Sequence, residues 1–186
     1  MIKFVKPEGI RFGGWAIDEN EWDILQKYME ENNVMSVVEF GAGVSTYLFS
    51  QCLKHLAYEI HEPTITQHAD KLILRRDLRK PLTAQQIVDD IFLAGVARFD
   101  LAFVDSPSNT GGKLDIRKYS VQAAMQMTDN IIMHDTIRPG EQKIINDNLA
   151  DWYRFDFESK RGMTLFSKNP IRKKRNVTRK IKRKAW

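Results

Sequence analysis

The spacing of apolar residues along the chain predicts alternating helices and strands. Behind Asp18, a typical helix N-cap, Trp22, Leu25 and Met29 recur at helical spacing. Short apolar runs predict strands at Ser36–Phe40, Ala57–His61, Leu72–Leu74, Leu101–Val104, Ile131–Met133, Tyr153–Phe157 and Met163–Phe166. Helices are predicted at Asp18–Asn33, Ser45–Leu56, Thr83–Gly95 and 116–127, and from Pro139 to Trp152.

This order of elements indicates one α/β domain. Strands that alternate with helices favour a parallel, right-handed, doubly wound sheet of the Rossmann type, and the last two strands predict an antiparallel hairpin at one edge. We expect seven strands within residues 36–167, preceded by a helical extension over residues 1–35 and followed by a basic tail over residues 168–186. A length of 186 residues suits one such domain.

The composition is that of a globular protein, with 42% hydrophobic and 28% charged residues. No apolar run reaches the roughly 18 residues that a membrane span requires, and the first residues are too charged for a signal peptide. We therefore expect a cytoplasmic protein. Cys52 is the only cysteine, which excludes an intrachain disulfide and a multi-cysteine zinc site.

The net charge of +5 hides two regions of opposite sign. Ten Lys or Arg residues and no acid lie between Lys168 and Trp186, which leaves a net charge of −5 on the preceding residues. A segment of this composition is expected to be disordered when free and could neutralise several phosphates of a nucleic acid. Solubility or localisation alone would also explain it.

A glycine turn follows the first predicted strand. Gly41 and Gly43 would let the backbone approach a ligand at the switch point of a doubly wound sheet. A dinucleotide fingerprint requires a third glycine where this chain has Thr46, and the carboxylate of Glu39 would repel a pyrophosphate but attract an ammonium group. The turn therefore favours a ligand with an amino-acid end.

The segment from Glu39 to Thr46 resembles the first motif of class I S-adenosylmethionine-dependent methyltransferases, whose seven-stranded fold is similar to the predicted order. In that family an acid at the end of the second strand holds the ribose hydroxyls; Glu62 is the first candidate here and Glu59 the second, while Asp77 is a weaker candidate for the adenine. The resemblance implies that the cofactor-binding residues are Glu39, Gly41, Gly43, Ser45 and Glu62.

Two acids follow the fourth and fifth predicted strands. Asp105 and Asp135 should meet at the rim of the sheet, since these strands are neighbours in this topology. Two carboxylates repel each other unless a proton, a cation or a basic side chain lies between them. They could bind Mg²⁺, which would lower the pKa of a substrate hydroxyl, or His134 could act as the general base.

Two longer strings resemble particular methyltransferases. His134 to Glu141 resembles the His-Asp-x-x-Arg-x-x-Glu segment of plant glucuronoxylan methyltransferases, and Tyr119-Ser120 also has a counterpart there. This implies a sugar-like or small acidic substrate, oriented by Arg138. Asp105 to Gly111 resembles a loop of the ribose 2′-O-methyltransferases of RNA, which have a lysine where this chain has His134-Asp135.

The sequence thus predicts methyl transfer from S-adenosylmethionine to an oxygen atom. Asp105, His134, Asp135 and Arg138 are the candidate catalytic residues, and Asp105 and Asp135 the candidate metal ligands. The segment Gly13-Gly14-Trp15 could cover the cofactor, although Trp15 could equally be a core residue. Two alternatives remain open: a nucleic-acid-binding protein anchored by its basic tail, and a non-catalytic nucleotide-binding scaffold.

Overall fold

The computed structural model describes residues 3–13, 16–59, 71–74, 83–106, 117–171 and 179–180. The helices are α1 (Glu19–Glu31), α2 (Val44–Phe49), α3 (Ala84–Leu93), α4 (Arg117–Met127) and α5 (Pro139–Asn148). The strands are β1 (Ser36–Phe40), β2 (Lys54–Glu59), β3 (Lys71–Leu74), β4 (Leu101–Val104), β5 (Asn130–His134), β6 (Tyr153–Phe157), β7 (Met163–Ser167) and β8 (Arg179–Lys180). Within these residues, no helix is both long and apolar enough to cross a membrane.

All eight strands form one sheet in the order β3-β2-β1-β4-β5-β7-β6-β8. Strands β1 to β5 are parallel, whereas β7 pairs antiparallel with both β5 and β6. The predicted Rossmann-like sheet with an antiparallel hairpin is therefore confirmed. Because β1 lies between β2 and β4, the switch point falls beside the glycine turn, where ligands bind in open α/β sheets.

Two apolar layers cover the two faces of the sheet. One contains Ile87 of α3, Val121 of α4 and Ile144 of α5. The other contains Trp22 of α1 and Leu48 of α2, both fully buried. Burial of one large apolar side chain contributes about 1.5 to 3 kcal/mol to folding. Because Trp22 is buried in this layer, α1 is part of the core of the domain.

Helix α1 begins as its sequence predicts. Asp18 accepts a hydrogen bond from the Glu21 amide at 2.8 Å, and Glu21 Oε2 accepts one from the Asp18 amide at 2.9 Å. This reciprocal capping box satisfies two amide groups that would otherwise have no partner at the helix end.

The prediction of one long helix over Ser45–Leu56 is wrong, because α2 ends at Phe49. The Cys52 amide closes a turn on the Phe49 carbonyl, and Lys54 then pairs with Ser36 at the start of β1. Pairing along the whole of β1 outweighs the helical spacing of these residues, so β2 starts three residues earlier than expected. Helix α5 also ends early, at Asn148 rather than Trp152.

The basic tail contributes an unexpected element. Arg179 and Lys180 form β8, which pairs antiparallel with Arg154 and Tyr153 of β6. This short pairing differs from the expectation of a fully disordered tail.

Candidate functional site

Gly41 lies where β1 leaves the sheet, with a φ of 106° that favours glycine. A Cβ atom at this position would lie 2.6 Å from the Cβ of Ser106, directly after β4. Close packing of two strand ends therefore requires Gly41, whether or not a ligand is bound.

Gly43 has different surroundings. A Cβ atom built there meets no described atom within 4 Å, and its φ of −159° is an extended conformation open to any residue. Among the described residues, nothing fills the space beside the second glycine of the turn, and this space is where the backbone could approach a ligand.

Glu39 lies beneath the turn rather than on its open side. Its side chain is fully buried and accepts hydrogen bonds from Ser45 Oγ at 2.5 Å and Thr46 Oγ1 at 2.8 Å. His55 Nε2 lies 3.0 Å from the same carboxylate. The expectation that Glu39 attracts a ligand's ammonium group is therefore corrected: both Glu39 and Ser45 support the turn from below.

The acid at the end of the second strand is Glu59. Its Oε2 atom accepts the Ala42 amide of the glycine turn at 2.9 Å, and its Oε1 atom accepts the Ser106 hydroxyl at 3.3 Å. Glu62, the first candidate for the ribose hydroxyls, and Asp77 lie outside the described residues. Of the two candidates for the strand-end acid, only Glu59 lies within the described part of the chain.

Asp105 and Asp135 converge at the rim, as adjacent strands require. Ligating atoms of Asp105, His134 and Asp135 all lie within 4.8 Å of one another. Asp105 is the outermost of these groups, with 19% of its side chain exposed, whereas the side chains of His134 and Asp135 are at most 3% exposed. Asp105 is therefore the member of the cluster that reaches the surface.

His134 lies between two carboxylates. Its Nδ1 atom is 2.9 Å from Asp105 Oδ1, and its Nε2 atom is 3.0 Å from Glu21 Oε1, a close ion pair whose alignment falls short of a hydrogen bond. Burial alone would lower the pKa of His134, but Asp105 and Glu21 outweigh it and raise this pKa to about 9. His134 is thus a cation at neutral pH, which corrects its assignment as a general base.

The pairing with His134 keeps both Glu21 and Asp105 ionised. Burial raises the pKa of Glu21, but His134 and Ser159 outweigh it and lower this pKa to about 2. Burial likewise raises the pKa of Asp105, whereas His134 and Arg117 outweigh it and hold this pKa below its ordinary value. A carboxylate, rather than a carboxylic acid, therefore reaches the rim.

Asp135 is held by two arginines. Its Oδ2 atom lies 2.7 Å from Arg138 Nη1, and its Oδ1 atom accepts Arg161 Nε at 2.9 Å. Asp135 also has a φ of 60°, which is uncommon for any residue but glycine. Arg138 remains 35% exposed, so it can meet a substrate while it neutralises Asp135.

Arg117, the first residue of α4, ties the ends of two strands together. It donates to the main-chain carbonyls of Asp105 at 2.7 Å and His134 at 2.8 Å. Its guanidinium also lies 3.7 Å from the Asp105 and Asp135 carboxylates and 3.6 Å from Glu141. A buried cation thus occupies the space between the rim acids.

These surroundings do not fit Mg²⁺. Asp135 engages Arg138 and Arg161 with its two oxygens, and Asp105 engages a protonated His134. Four basic groups (Arg117, His134, Arg138 and Arg161) face four acids (Glu21, Asp105, Asp135 and Glu141). A divalent ion would have to displace these cations, so the predicted metal site is corrected to a neutralised charge cluster.

The segment predicted as a lid lies partly outside the described residues. Gly14 and Trp15 are not among them. Gly13 has a φ of 87°, and its amide donates to the Ile17 carbonyl at 3.1 Å. The carbonyl of Ala16, the residue before Ile17, accepts a hydrogen bond from Arg161 Nη1 at 3.0 Å. This bond fixes the segment before α1 to the charge cluster.

The architecture is shared with methyltransferases of known structure. One is the O-methyltransferase TomG from Streptomyces achromogenes, solved with S-adenosylmethionine. The match covers 82% of this chain and 81% of TomG, with 17% identity and a TM-score of 0.56. An O-methyltransferase from Bacillus cereus, solved with S-adenosylhomocysteine, matches 84% of each chain with 13% identity and a TM-score of 0.56. This chain has the fold of these enzymes.

A methyltransferase from Geobacter sulfurreducens has the same architecture, with 14% identity, a TM-score of 0.52 and coverage of 82% of this chain and 80% of its own. Comparisons with protein-family profiles and with curated protein sequences find no match. The relation to methyltransferases is therefore one of fold.

Three members of the charge cluster were not predicted from the sequence: Glu21, Arg117 and Arg161. They come from the helix before the sheet, the start of α4 and the hairpin loop, as far as 140 residues apart in the chain. Only Glu21 carried a local signal, since Asp18 and Glu21 have the spacing of a capping box. For the arginines, the sole indication was that two rim acids need a basic partner.

Proposed function

We propose that the protein transfers a methyl group from S-adenosylmethionine to an oxygen atom of a small acceptor. The observation that carries this proposal is the open side of Gly43 next to the Glu59 carboxylate, at the switch point of a methyltransferase fold. Two of the O-methyltransferases with this fold were solved with S-adenosylmethionine or S-adenosylhomocysteine, which supports the choice of ligand.

The residues of the turn fit this cofactor. Gly43 leaves room for the ligand against the backbone. The Glu59 oxygens already accept from Ala42 and Ser106, and each keeps a second lone pair that can accept a hydrogen bond from a ribose hydroxyl. Glu39 and Ser45 fix the turn from beneath. When bound, S-adenosylmethionine supplies an activated methyl group on a sulfonium, and the protein must place an oxygen in line with it.

The rim offers groups to orient an acceptor. Asp105 is an ionised, partly exposed carboxylate that can accept a hydrogen bond from the acceptor hydroxyl. Arg138 is exposed enough to contact an anionic group on the same molecule. We propose an acceptor that carries both a hydroxyl and an anionic group, such as an acidic sugar. His134 keeps Asp105 in place, and positioning supplies most of the rate.

Calorimetric titration tests this proposal before any acceptor is known. We expect S-adenosylmethionine and S-adenosylhomocysteine to bind more tightly than NAD or ATP. Tighter binding of NAD or ATP would contradict the proposal and favour the nucleotide-binding scaffold.

Two substitutions test the assigned residues. Gly43→Ala adds a methyl group on the open side, and Glu59→Gln removes the charge from the carboxylate. Each should weaken S-adenosylhomocysteine binding by about tenfold or more, which is about 1.4 kcal/mol. Glu19→Gln, on the exposed start of α1, is the matched control for Glu59→Gln and should bind like the wild type. Equal binding by all four proteins would refute the assignment.

A further inference from the structure

A buried chain of hydrogen bonds connects strand β2 to the glycine turn. His55 Nε2 lies 3.0 Å from Glu39 Oε2, and the same oxygen accepts the Thr46 hydroxyl at 2.8 Å. Thr46 Oγ1 in turn accepts the Gly43 amide at 3.0 Å. The last donor in this chain of hydrogen bonds thus belongs to Gly43, whose open side no described residue fills.

The chemistry of the groups fixes the direction of every bond. Glu39 is a carboxylate and only accepts, so His55 must carry its hydrogen on Nε2. Thr46 has one hydroxyl hydrogen, and because it donates this hydrogen to Glu39, only a lone pair faces the Gly43 amide. His55 Nδ1 has no hydrogen-bond partner among the described residues.

Because the groups in this chain of hydrogen bonds are buried, they can bond only to other protein groups and not to water. The side chains of His55 and Glu39 have no exposed surface, and Thr46 is likewise fully buried. Water cannot replace a missing donor at such a depth, so a carboxylate that loses one must turn toward the donors that remain. The aromatic ring of Phe49, 6.0 Å from that of His55, borders the imidazole on another side.

We propose that His55 is a positioning residue of the cofactor site, which fixes the Glu39 carboxylate and, through Thr46, the amide of Gly43. This inference rests on the proposed function, since the ligand above Gly43 is S-adenosylmethionine. It also gives Thr46 a role: the residue that replaces the third glycine of a dinucleotide fingerprint shapes the turn with its hydroxyl.

Titration with S-adenosylhomocysteine is the first test. Thr46→Val keeps the volume of the side chain, His55→Phe keeps a planar ring of somewhat larger size, and both remove the polar atoms. Both should weaken binding by about tenfold. Thr46→Ser and His55→Gln restore a hydroxyl and an N–H donor, and should bind within about threefold of the wild type. The control is Ser50→Ala, which removes a hydroxyl at the end of α2 that, among the described residues, bonds only to the Tyr47 carbonyl.

Amide hydrogen exchange of Gly43, measured by NMR without ligand, is the second test. The amide should exchange faster in Thr46→Val and in His55→Phe, although His55 does not touch it, and should exchange normally in Ser50→Ala. Faster exchange together with weaker binding supports the proposal. Unchanged exchange or unchanged binding in a folded His55→Phe protein overturns it, because His55 would then have only a structural role.

The two proposals fail in different ways. If the wild-type protein does not bind S-adenosylhomocysteine, the proposed function fails, and the exchange rate of Gly43 alone decides the role of His55. If His55→Phe does not fold, Thr46→Val and His55→Gln decide it: normal binding by Thr46→Val, or a tenfold loss in His55→Gln, contradicts the proposal.

Discussion

The buried cation at His134 predicts that the protein loses stability between pH 6.5 and 9. Asp105 and Glu21 raise the pKa of His134 from 6.5 to about 9 against the effect of burial. The folded state therefore holds this proton more tightly than the unfolded chain does. The stabilisation is complete below pH 6.5 and disappears as the pH rises through about 9.

The size of the effect follows from the same shift. One pKa unit corresponds to about 1.4 kcal/mol, so a rise of this size contributes about 3 kcal/mol to the free energy of unfolding. That is a large fraction of the stability of a domain, typically about 5 to 15 kcal/mol.

Urea unfolding at intervals between pH 6 and pH 10 measures this loss. Other groups titrate in the same range, so the comparison is with His134→Gln, which cannot lose a proton there. We expect the wild-type free energy of unfolding to fall by about 3 kcal/mol more than that of the variant over this range. A parallel fall in both proteins, or a level wild-type curve, would refute the assignment of a charged His134.

Four other perturbations have defined outcomes. Gly41→Ala should lower the free energy of unfolding by about 1 to 3 kcal/mol in urea, because it places a Cβ atom against Ser106 at a positive φ. Gly43→Ala should change it by less than about 1 kcal/mol. Arg117→Met should cost about 3 to 5 kcal/mol and lower the melting temperature in calorimetry, since it removes the buried cation that lies between the Asp105, Asp135 and Glu141 carboxylates. Replacing the basic residues of Arg172–Arg175 with serine should weaken binding to double-stranded DNA, measured by fluorescence anisotropy. If the wild-type tail contacts about six phosphates, raising salt from roughly 50 to 200 mM should weaken that binding by about 10³.

Local sequence patterns were sufficient for most of the fold. The buried run Leu101–Val104 and the alternating run Tyr153–Phe157 are strands with the predicted bounds. The main error, the helix over Ser45–Leu56, arose because helical spacing is a local signal and the pairing of Lys54 with Ser36 is not. Tertiary pairing decided where that helix ends.

The candidate site was predictable only in part. Parallel topology brings Asp105 and Asp135 together, so their convergence followed from the order of strands. The protonation of His134 did not, because it depends on Glu21, a residue of another element 113 positions away in the sequence. The same limit applies to Glu39, whose buried partner His55 lies on the neighbouring strand.

The short strand β8 gives the basic tail a second consequence. Strand β8 is the last strand of the sheet, and among the described residues it covers the outer side of β6 only at Tyr153 and Arg154, which leaves the rest of β6 as an open border. An uncovered border strand offers its amides and carbonyls to other molecules and promotes aggregation. A protein truncated after residue 170 would therefore lose both its positive charge and the cover of this border, and we expect it to self-associate, whereas substitutions that remove charge and leave β8 in place should keep it monodisperse.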